Sequence, residues 1–152
     1  MSSTKRKYLL DLNALIALAE PAHEFHEPVE KWFRAEGSQN WGICPLTEAG
    51  FVRITTHPRY RPATRTIQQA TAILASFAEH PGYRYWPISE SWAALTAPFS
   101  SRIFGHQQVT DSYLLGLAIK QSGVLVTFDA GFRVLAGAQY IRNLRVLPSA
   151  GT

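Results

Sequence analysis

Short apolar runs alternate with longer amphipathic segments along most of this chain. A continuous apolar run of four or five residues is typical of a strand that is buried on both faces of a parallel sheet. Such runs predict strands at Tyr8–Leu10, 41–44, 83–86, 124–128 and 144–147.

Helical spacing of apolar positions predicts helices between these strands. They cover Leu12–Ala19, 24–36, a segment ending near Ile54, 67–78 and 110–122. Thr47 and Thr110 are the predicted N-caps of the third and fifth helices, and Glu48 falls in a first turn. The proline-containing segment 57–63 is predicted to be a loop, while 90–104 is predicted to be helical but interrupted by Pro and Ser, with no definite bounds.

Strands that alternate with helices predict an α/β fold, with a central parallel sheet flanked by helices. At 152 residues and 46% hydrophobic, the chain is predicted to form one domain over residues 1–152. Cys44 is the single cysteine, so we expect a buried thiol and a reducing, cytoplasmic location. Asp11 and Asn13 interrupt the first apolar stretch, which argues against a secretory leader.

Each aspartate in the chain lies at the edge of an apolar run. Asp11 follows the first predicted strand, Asp129 follows 124–128, and Asp111 opens the apolar stretch Ser112 to Leu115. The carboxyl ends of parallel strands meet at one edge, where open α/β sheets bind their ligands. The sequence therefore predicts an acidic site.

A cluster of carboxylates requires a cation to neutralise it. Oxygen ligands favour Mg²⁺ or Mn²⁺ over zinc, and such an ion can activate a water for attack on a phosphodiester. The pair His23 and His26 is not predicted to bind zinc, because further ligands are not near it in the sequence.

Four blocks of sequence carry the acidic residues, at 10–13, 46–48, 109–115 and 126–129. They resemble the signature blocks of the PIN-domain ribonucleases, most closely the VapC-like toxins of type II toxin-antitoxin pairs. The resemblance implies a metal-dependent endoribonuclease that forms a homodimer and is silenced by a cognate antitoxin protein. The implied catalytic and metal-binding residues are Asp11, Glu48, Asp111 and Asp129, and the implied supporting residues are Asn13, Thr47 and Thr110.

The basic residues form a predicted contact surface for RNA. The formal charge of the whole chain is +4. Without the four acidic residues of the predicted site, 7 acidic residues remain against 15 Lys and Arg. An acidic cleft within a basic rim suits a polyanion. The segment after the Glu48 helix is the predicted RNA-binding surface, with Arg53, Arg59, Tyr60, Arg61 and Arg65. A solvated loop is the alternative interpretation.

Two other functions remain open at this stage. A phosphohydrolase of the haloacid-dehalogenase type also carries an aspartate after its first strand, but it requires a second one where this chain has Asn13. A non-catalytic interaction module with an acidic pocket is the third possibility. The aromatic residues Trp32, Phe33, Trp41 and Trp86 are predicted to be core or dimer contacts rather than surfaces for base stacking.

Overall fold

A computed structural model of the chain describes residues 6–61 and 63–148. Its sheet has four strands, which are β1 (Tyr8–Leu10), β2 (Trp41–Gly42), β3 (Val124–Thr127) and β4 (Leu144–Val146). Their spatial order is β2-β1-β3-β4, and every pair is parallel. The predicted α/β fold with a central parallel sheet is therefore confirmed.

Helices lie between consecutive strands along the chain, as parallel pairing requires. They are α1 (Leu12–Ala19), α2 (His26–Trp32), α3 (Pro45–Thr55), α4 (Ile67–Ala78), α5 (Trp92–Thr96), α6 (Val109–Lys120) and α7 (Phe132–Ala136). A π-helical turn at Phe33–Gly37 extends α2, and 3-10 turns occupy Ala97–Arg102, His106–Gln108 and Ile141–Asn143. Among the described residues, no helix is both long and apolar enough to cross a bilayer.

The two central strands, β1 and β3, are buried on both faces. Tyr8 and Leu10 face one apolar cluster, together with Val124 and Val126, whereas Leu9 and Leu125 face the other. The first cluster packs under α1 to α4 and the second under α5 to α7. This burial explains why both strands have continuous apolar sequences.

Several predicted elements differ from the structure. The predicted strand at 83–86 is reduced to a single bridge between Tyr83 and Trp41, although Trp86 N still donates to the Ile43 carbonyl at 3.0 Å. Gly42 permits this close approach, because a Cβ there would collide with the Arg84 carbonyl oxygen. The interrupted helical character predicted for 90–104 is confirmed, because the segment contains α5 and a 3-10 turn.

Both predicted threonine caps were wrong. Cys44 is the N-cap of α3, and Pro45 opens the helix. Thr47 therefore lies inside α3, and Thr110 lies inside α6, whose N-cap is Gln108. The apolar face predicted for α4 is only partly covered, since Ala70 is buried while Ile67 is 59% exposed.

Three of the four tryptophans and the cysteine are core residues, as the sequence predicted. Trp32, Trp41 and Trp86 are all at most 3% exposed. Cys44 is fully buried and free.

Candidate active site

Asp11 lies where β1 ends and α1 begins. Its Oδ1 accepts a hydrogen bond of 2.7 Å from Leu12 N, so Asp11 caps α1, and its own backbone N donates to the Val126 carbonyl. Only 8% of the residue is exposed. Burial raises the pKa of Asp11 above 3.8, against two hydrogen bonds that lower it, and the charge of Asp129 raises it further.

The register of the sheet brings Thr127 to Asp11. Leu10 of β1 pairs with Val126 of β3, so the residues that follow them are neighbours. The Thr127 hydroxyl donates to Asp11 Oδ2 at 2.7 Å and accepts from Asp129 N at 3.0 Å. One buried hydroxyl thus holds two of the predicted catalytic aspartates.

Sequence reasoning did not select Thr127, although a signal was present. Thr127 is the one polar residue in the strand Val124–Thr127, and it is fully buried. A polar residue at the carboxyl end of a buried strand requires a hydrogen-bond partner. That requirement could have directed attention to the neighbouring strand end.

Asn13 connects the same strand ends. Its Oδ1 accepts from Phe128 N at 3.2 Å, and its Nδ2 donates to Thr127 Oγ1 at 3.3 Å. The side-chain amide therefore orients the turn that carries Asp129, and Asn13 does not cap α1.

Asp111 lies in the first turn of α6 and is half-buried. Burial, followed by the charges of Asp11 and Asp129, raises the pKa of Asp111 to about 6. Asp129 is exposed after β3, with its Oδ1 accepting from Gly131 N at 2.8 Å. The three aspartates therefore share one electrostatic environment, as predicted from their positions at the edges of apolar runs.

A cleft of about 160 Å³ opens beside Asp11. Its walls come from the first residues of α1, the inner face of α3 and the start of α6. The lining residues are Asp11, Leu12, Leu46, Thr47, Ala49, Gly50, Arg53, Thr110 and Leu114. Thr47 is buried and its hydroxyl donates to the Leu10 carbonyl at 3.5 Å, while Thr110 is exposed to the cleft.

Glu48 faces a different part of the molecule. Burial and then the charge of Glu48 raise the pKa of Tyr83 to about 12, and the same two causes raise the pKa of Tyr85. Glu48 does not line the cleft, nor does it contribute to the raised pKa of Asp11 or Asp111. The structure thus brings three members of the predicted quartet together and turns Glu48 towards Tyr83 and Tyr85.

The aspartates provide an open set of oxygen ligands. Within residues 6–61 and 63–148, no three carboxylate, imidazole or thiolate side chains converge tightly enough to form a complete metal-ligand group. Mg²⁺ is commonly bound through one or two carboxylates while keeping several waters. The donor chemistry of Asp11, Asp111 and Asp129 therefore fits a hard divalent cation in an open site.

A second depression, of about 400 Å³, lies after α3. It is lined by Arg53, Ile54, His57, Arg59, Tyr60 and Arg61. Arg53 lines both this depression and the acidic cleft, so the two adjoin at this side chain. Arg53, Arg59 and Arg61 are exposed, although the Arg61 guanidinium also donates to the Tyr60 carbonyl at 3.1 Å.

Arg65 and Tyr60 are less accessible than the other residues of the predicted RNA surface. The Arg65 guanidinium forms an ion pair with Glu20, and the side chains of Arg65 and Glu20 are only 20% and 6% exposed. Arg65 also lies over the ring of Tyr60, 5.8 Å from its centroid. Tyr60 is half-buried against the core, and burial raises the pKa of its hydroxyl.

Comparisons with known proteins agree with this arrangement. The family model for the PIN domain matches residues 8–138. The chain is similar to Ribonuclease VapC38 of Mycobacterium tuberculosis, with 42% identity over 128 residues that cover 84% of this chain and 89% of that protein. It is also similar to Ribonuclease VapC39 of the same organism, with 36% identity over 136 residues that cover 90% of this chain and 98% of that protein.

The fold has a counterpart among solved structures. A chain in a toxin-antitoxin complex from Klebsiella pneumoniae has a TM-score of 0.61 and 17% identity, covering 92% of this chain and 97% of that one. At this identity the likeness concerns the fold, and together with the family match it confirms the predicted PIN-like architecture.

Proposed function

We propose that this chain, which belongs to the PIN-domain family, is an endoribonuclease that acts as the toxin of a toxin-antitoxin pair. The single observation that carries the proposal is the proximity of Asp11, Asp111 and Asp129 at the ends of β1 and β3 and the start of α6, where the charge of Asp129 acts on Asp11 and the charges of both act on Asp111. The names of the similar proteins, Ribonuclease VapC38 and VapC39, support the same reaction.

Mg²⁺ or Mn²⁺ is the cofactor in this proposal, with Asp11, Asp111 and Asp129 as its ligands. When bound, such a cation lowers the pKa of water and balances the charge that develops on the phosphate. The chain itself keeps the ligands oriented: Thr127 and Leu12 N hold the Asp11 carboxylate, and Asn13 holds the turn before Asp129. Burial of Asp11 keeps bulk water away from that carboxylate.

Glu48 stays in the proposal as the fourth catalytic acid and metal ligand, as the resemblance implies, and Thr47 and Thr110 as supporting residues. Thr110 and Thr47 line the cleft, whereas Glu48 would have to turn from Tyr83 and Tyr85 to reach it. Its contribution is therefore separable: Glu48→Gln should reduce cleavage less than Asp111→Asn does.

The RNA strand, in this proposal, enters along the basic depression. Arg53 supports this path because it borders both the depression and the cleft. Arg59 and Arg61 would contact phosphates farther from the cut bond. Such phosphate contacts would position the RNA without reading its sequence. Arg65 and Tyr60 would support the loop without contacting RNA. Arg65 is paired with Glu20, and Tyr60 packs against the core.

A cognate antitoxin and a second copy of the chain are the proposed protein partners. The similar fold in a toxin-antitoxin complex supports the first, and the resemblance to VapC-like toxins supports both. A cytoplasmic location belongs to the same proposal, because the chain would encounter its RNA substrate and newly synthesised antitoxin there.

The test is an assay of the purified chain with Mg²⁺ or Mn²⁺ on single-stranded RNA and, in parallel, on a phosphomonoester. We expect internal cleavage of RNA and no release of phosphate from the monoester. Asp11→Asn and Asp111→Asn should each abolish cleavage, whereas the exposed control Arg142→Gln should cleave normally. Turnover of the monoester would favour the phosphohydrolase, and inactivity on both substrates the interaction module.

A further inference from the structure

Phe104 is the most exposed large hydrophobic residue among those that the structure describes, at 79%. A phenylalanine in that position loses the free energy of burial, because none of residues 6–61 and 63–148 covers most of its ring. Val109, at 44%, adds a smaller apolar surface in the same segment. The residues between them, Gly105 to Gln108, are polar or lack a side chain.

The segment is anchored at both ends. Phe104 N and Gly105 N both donate to Gln108 Oε1, at 2.6 and 3.3 Å, and residues 106–108 form a 3-10 turn. Trp92 Nε1 donates to the Val109 carbonyl at 3.0 Å, and Ile103 packs against the core. The backbone that carries Phe104 is therefore held in place while its ring projects into solvent.

Open space surrounds the ring. A depression of about 360 Å³ is lined by Phe104, Gly105, His106, Gln107 and Gln108. A Cβ built on Gly105 would meet no heavy atom within 4 Å. A flat group of the size of a nucleobase can therefore approach the ring without displacing protein atoms.

The Phe104 segment is joined directly to the helix that lines the acidic cleft. The 3-10 turn runs directly into α6, whose second residue, Thr110, lines the cleft and whose third, Asp111, is one of the grouped aspartates. Even a fully extended chain would place Phe104 within about 20 Å of Thr110, and the turn shortens that distance. The Phe104 segment thus lies on the α6 side of the cleft, whereas Arg53 lines the cleft on its α3 side.

We infer that Phe104 is a stacking platform for an unpaired base of the RNA, a few nucleotides from the bond that is cut. This inference rests on the proposed ribonuclease function and adds that the substrate is single-stranded at this point. An aromatic ring stacks on any base, because every base has a π face, and the neighbouring amide and imidazole groups of Gln107 and His106 can reach base edges. A protein partner would instead require a broader continuous apolar patch.

The experiment measures binding of the full chain, with Asp111→Asn present to prevent cleavage, to a fluorescein-labelled RNA of about 20 adenosines. The same RNA annealed to its complement provides the base-paired comparison. Stacking contributes enough that Phe104→Ala should weaken single-strand binding by about 5-fold to 150-fold. The duplex, whose bases are already stacked, should bind weakly and show little response to Phe104→Ala.

Two further variants separate stacking from general apolar contact. Phe104→Leu keeps an apolar side chain but lacks the π face, so it should bind as weakly as Phe104→Ala. Phe104→Trp should retain binding, and emission from the introduced indole should be quenched when RNA is added. Ile141→Ala is the matched control, because Ile141 is 45% exposed but precedes the amino end of β4, at the opposite edge of the sheet.

Each outcome decides the inference. Wild-type-like binding by Phe104→Ala or Phe104→Leu would overturn it, as would equal losses in Ile141→Ala. If Phe104→Ala changed only association with a protein partner, the ring would be a protein contact and the inference would be wrong. If the wild-type chain neither bound nor cleaved RNA, the proposed function would fail and this inference with it.

Discussion

The hydroxyl of Thr127 donates a hydrogen bond of 2.7 Å to the Asp11 carboxylate across the seam between β3 and β1. The two residues are 116 positions apart in sequence, and both are buried. Because the same hydroxyl accepts from Asp129 N, its orientation links the two carboxylates that follow these strands. Thr127 is therefore a positioning residue for the proposed active site.

Replacing Thr127 with Val should reduce cleavage and also lower the free energy of unfolding by about 1–3 kcal/mol. The substitution keeps the side-chain shape but leaves Asp11 Oδ2 and Asp129 N without their buried partner. Thr127→Ser, which keeps the hydroxyl, should restore both properties. Urea denaturation and RNA cleavage by the same preparations provide the two measurements.

Thr55→Val is the control for a general effect of removing a buried threonine hydroxyl. Thr55 is fully buried in α3, and its hydroxyl donates to the Phe51 carbonyl at 2.8 Å within the same helix. Cleavage should be unchanged in this variant. Equal losses of cleavage in the two variants would show that Thr127 has no special relation to the site.

Asp111→Asn should make the cation-free protein more stable at neutral pH, by about 1–3 kcal/mol. The pKa of Asp111 is raised from 3.8 to about 6, so the folded state favours the protonated carboxyl. The contribution of the protonated Asp111 carboxyl to the free energy of unfolding is fully present below about pH 4. It is lost as the pH rises to about 6. Thermal denaturation in EDTA at pH 3 to 8 should show a decline across this window that is smaller in the variant. The same decline in both proteins would argue against a raised pKa of Asp111.

Replacing Arg53, Arg59 and Arg61 by Gln in one variant should weaken RNA binding and flatten its dependence on salt. Each lost phosphate contact on a single strand reduces the slope of log affinity against log salt by about 0.7, so a loss of about 2 is expected. Titrations at several salt concentrations measure the slope, with Arg142→Gln as a control for removal of an exposed positive charge elsewhere. A slope that does not change would return this segment to the solvated-loop interpretation.

Arg65→Gln should behave differently from those substitutions. Its ion pair with Glu20 is largely buried, so removing the cation leaves a buried carboxylate without its partner. We expect the free energy of unfolding to fall by about 3 kcal/mol, with little change in the salt slope of RNA binding. The double variant Arg65→Gln with Glu20→Gln should recover part of the loss. A large change in the salt slope without loss of stability would assign Arg65 to the RNA surface instead.

Chelation and product ends test the proposed hydrolysis. EDTA should stop cleavage, added Mg²⁺ or Mn²⁺ should restore it, and the products should carry 5'-phosphate and 3'-hydroxyl ends. None of the histidines, all five of which the structure describes, lines the acidic cleft, so a histidine-dependent route through the ribose 2'-hydroxyl is not expected. Cyclic phosphate ends, or full activity in EDTA, would contradict the mechanism.

Local sequence patterns determined the central part of this fold. Strands β1 and β3 were predicted almost to the residue, because a short apolar run buried on both faces leaves few alternatives to a central parallel strand. The predicted positions of Asp11 and Asp129 followed directly, since each is the polar residue at or just beyond such a strand. Helices α1 and α4 were also predicted, from spacing alone.

Only the tertiary structure decided which side chains meet. The pairing of Thr127 with Asp11 depends on the register between strands, and the ion pair of Arg65 with Glu20 joins residues 45 positions apart. Glu48 was correctly predicted in the first turn of its helix, but the packing of α3 places its charge near Tyr83 and Tyr85. Periodicity describes which face of one element is apolar. Register, helix rotation and charge pairing arise when separate elements pack together, so the sequence of one element does not contain them.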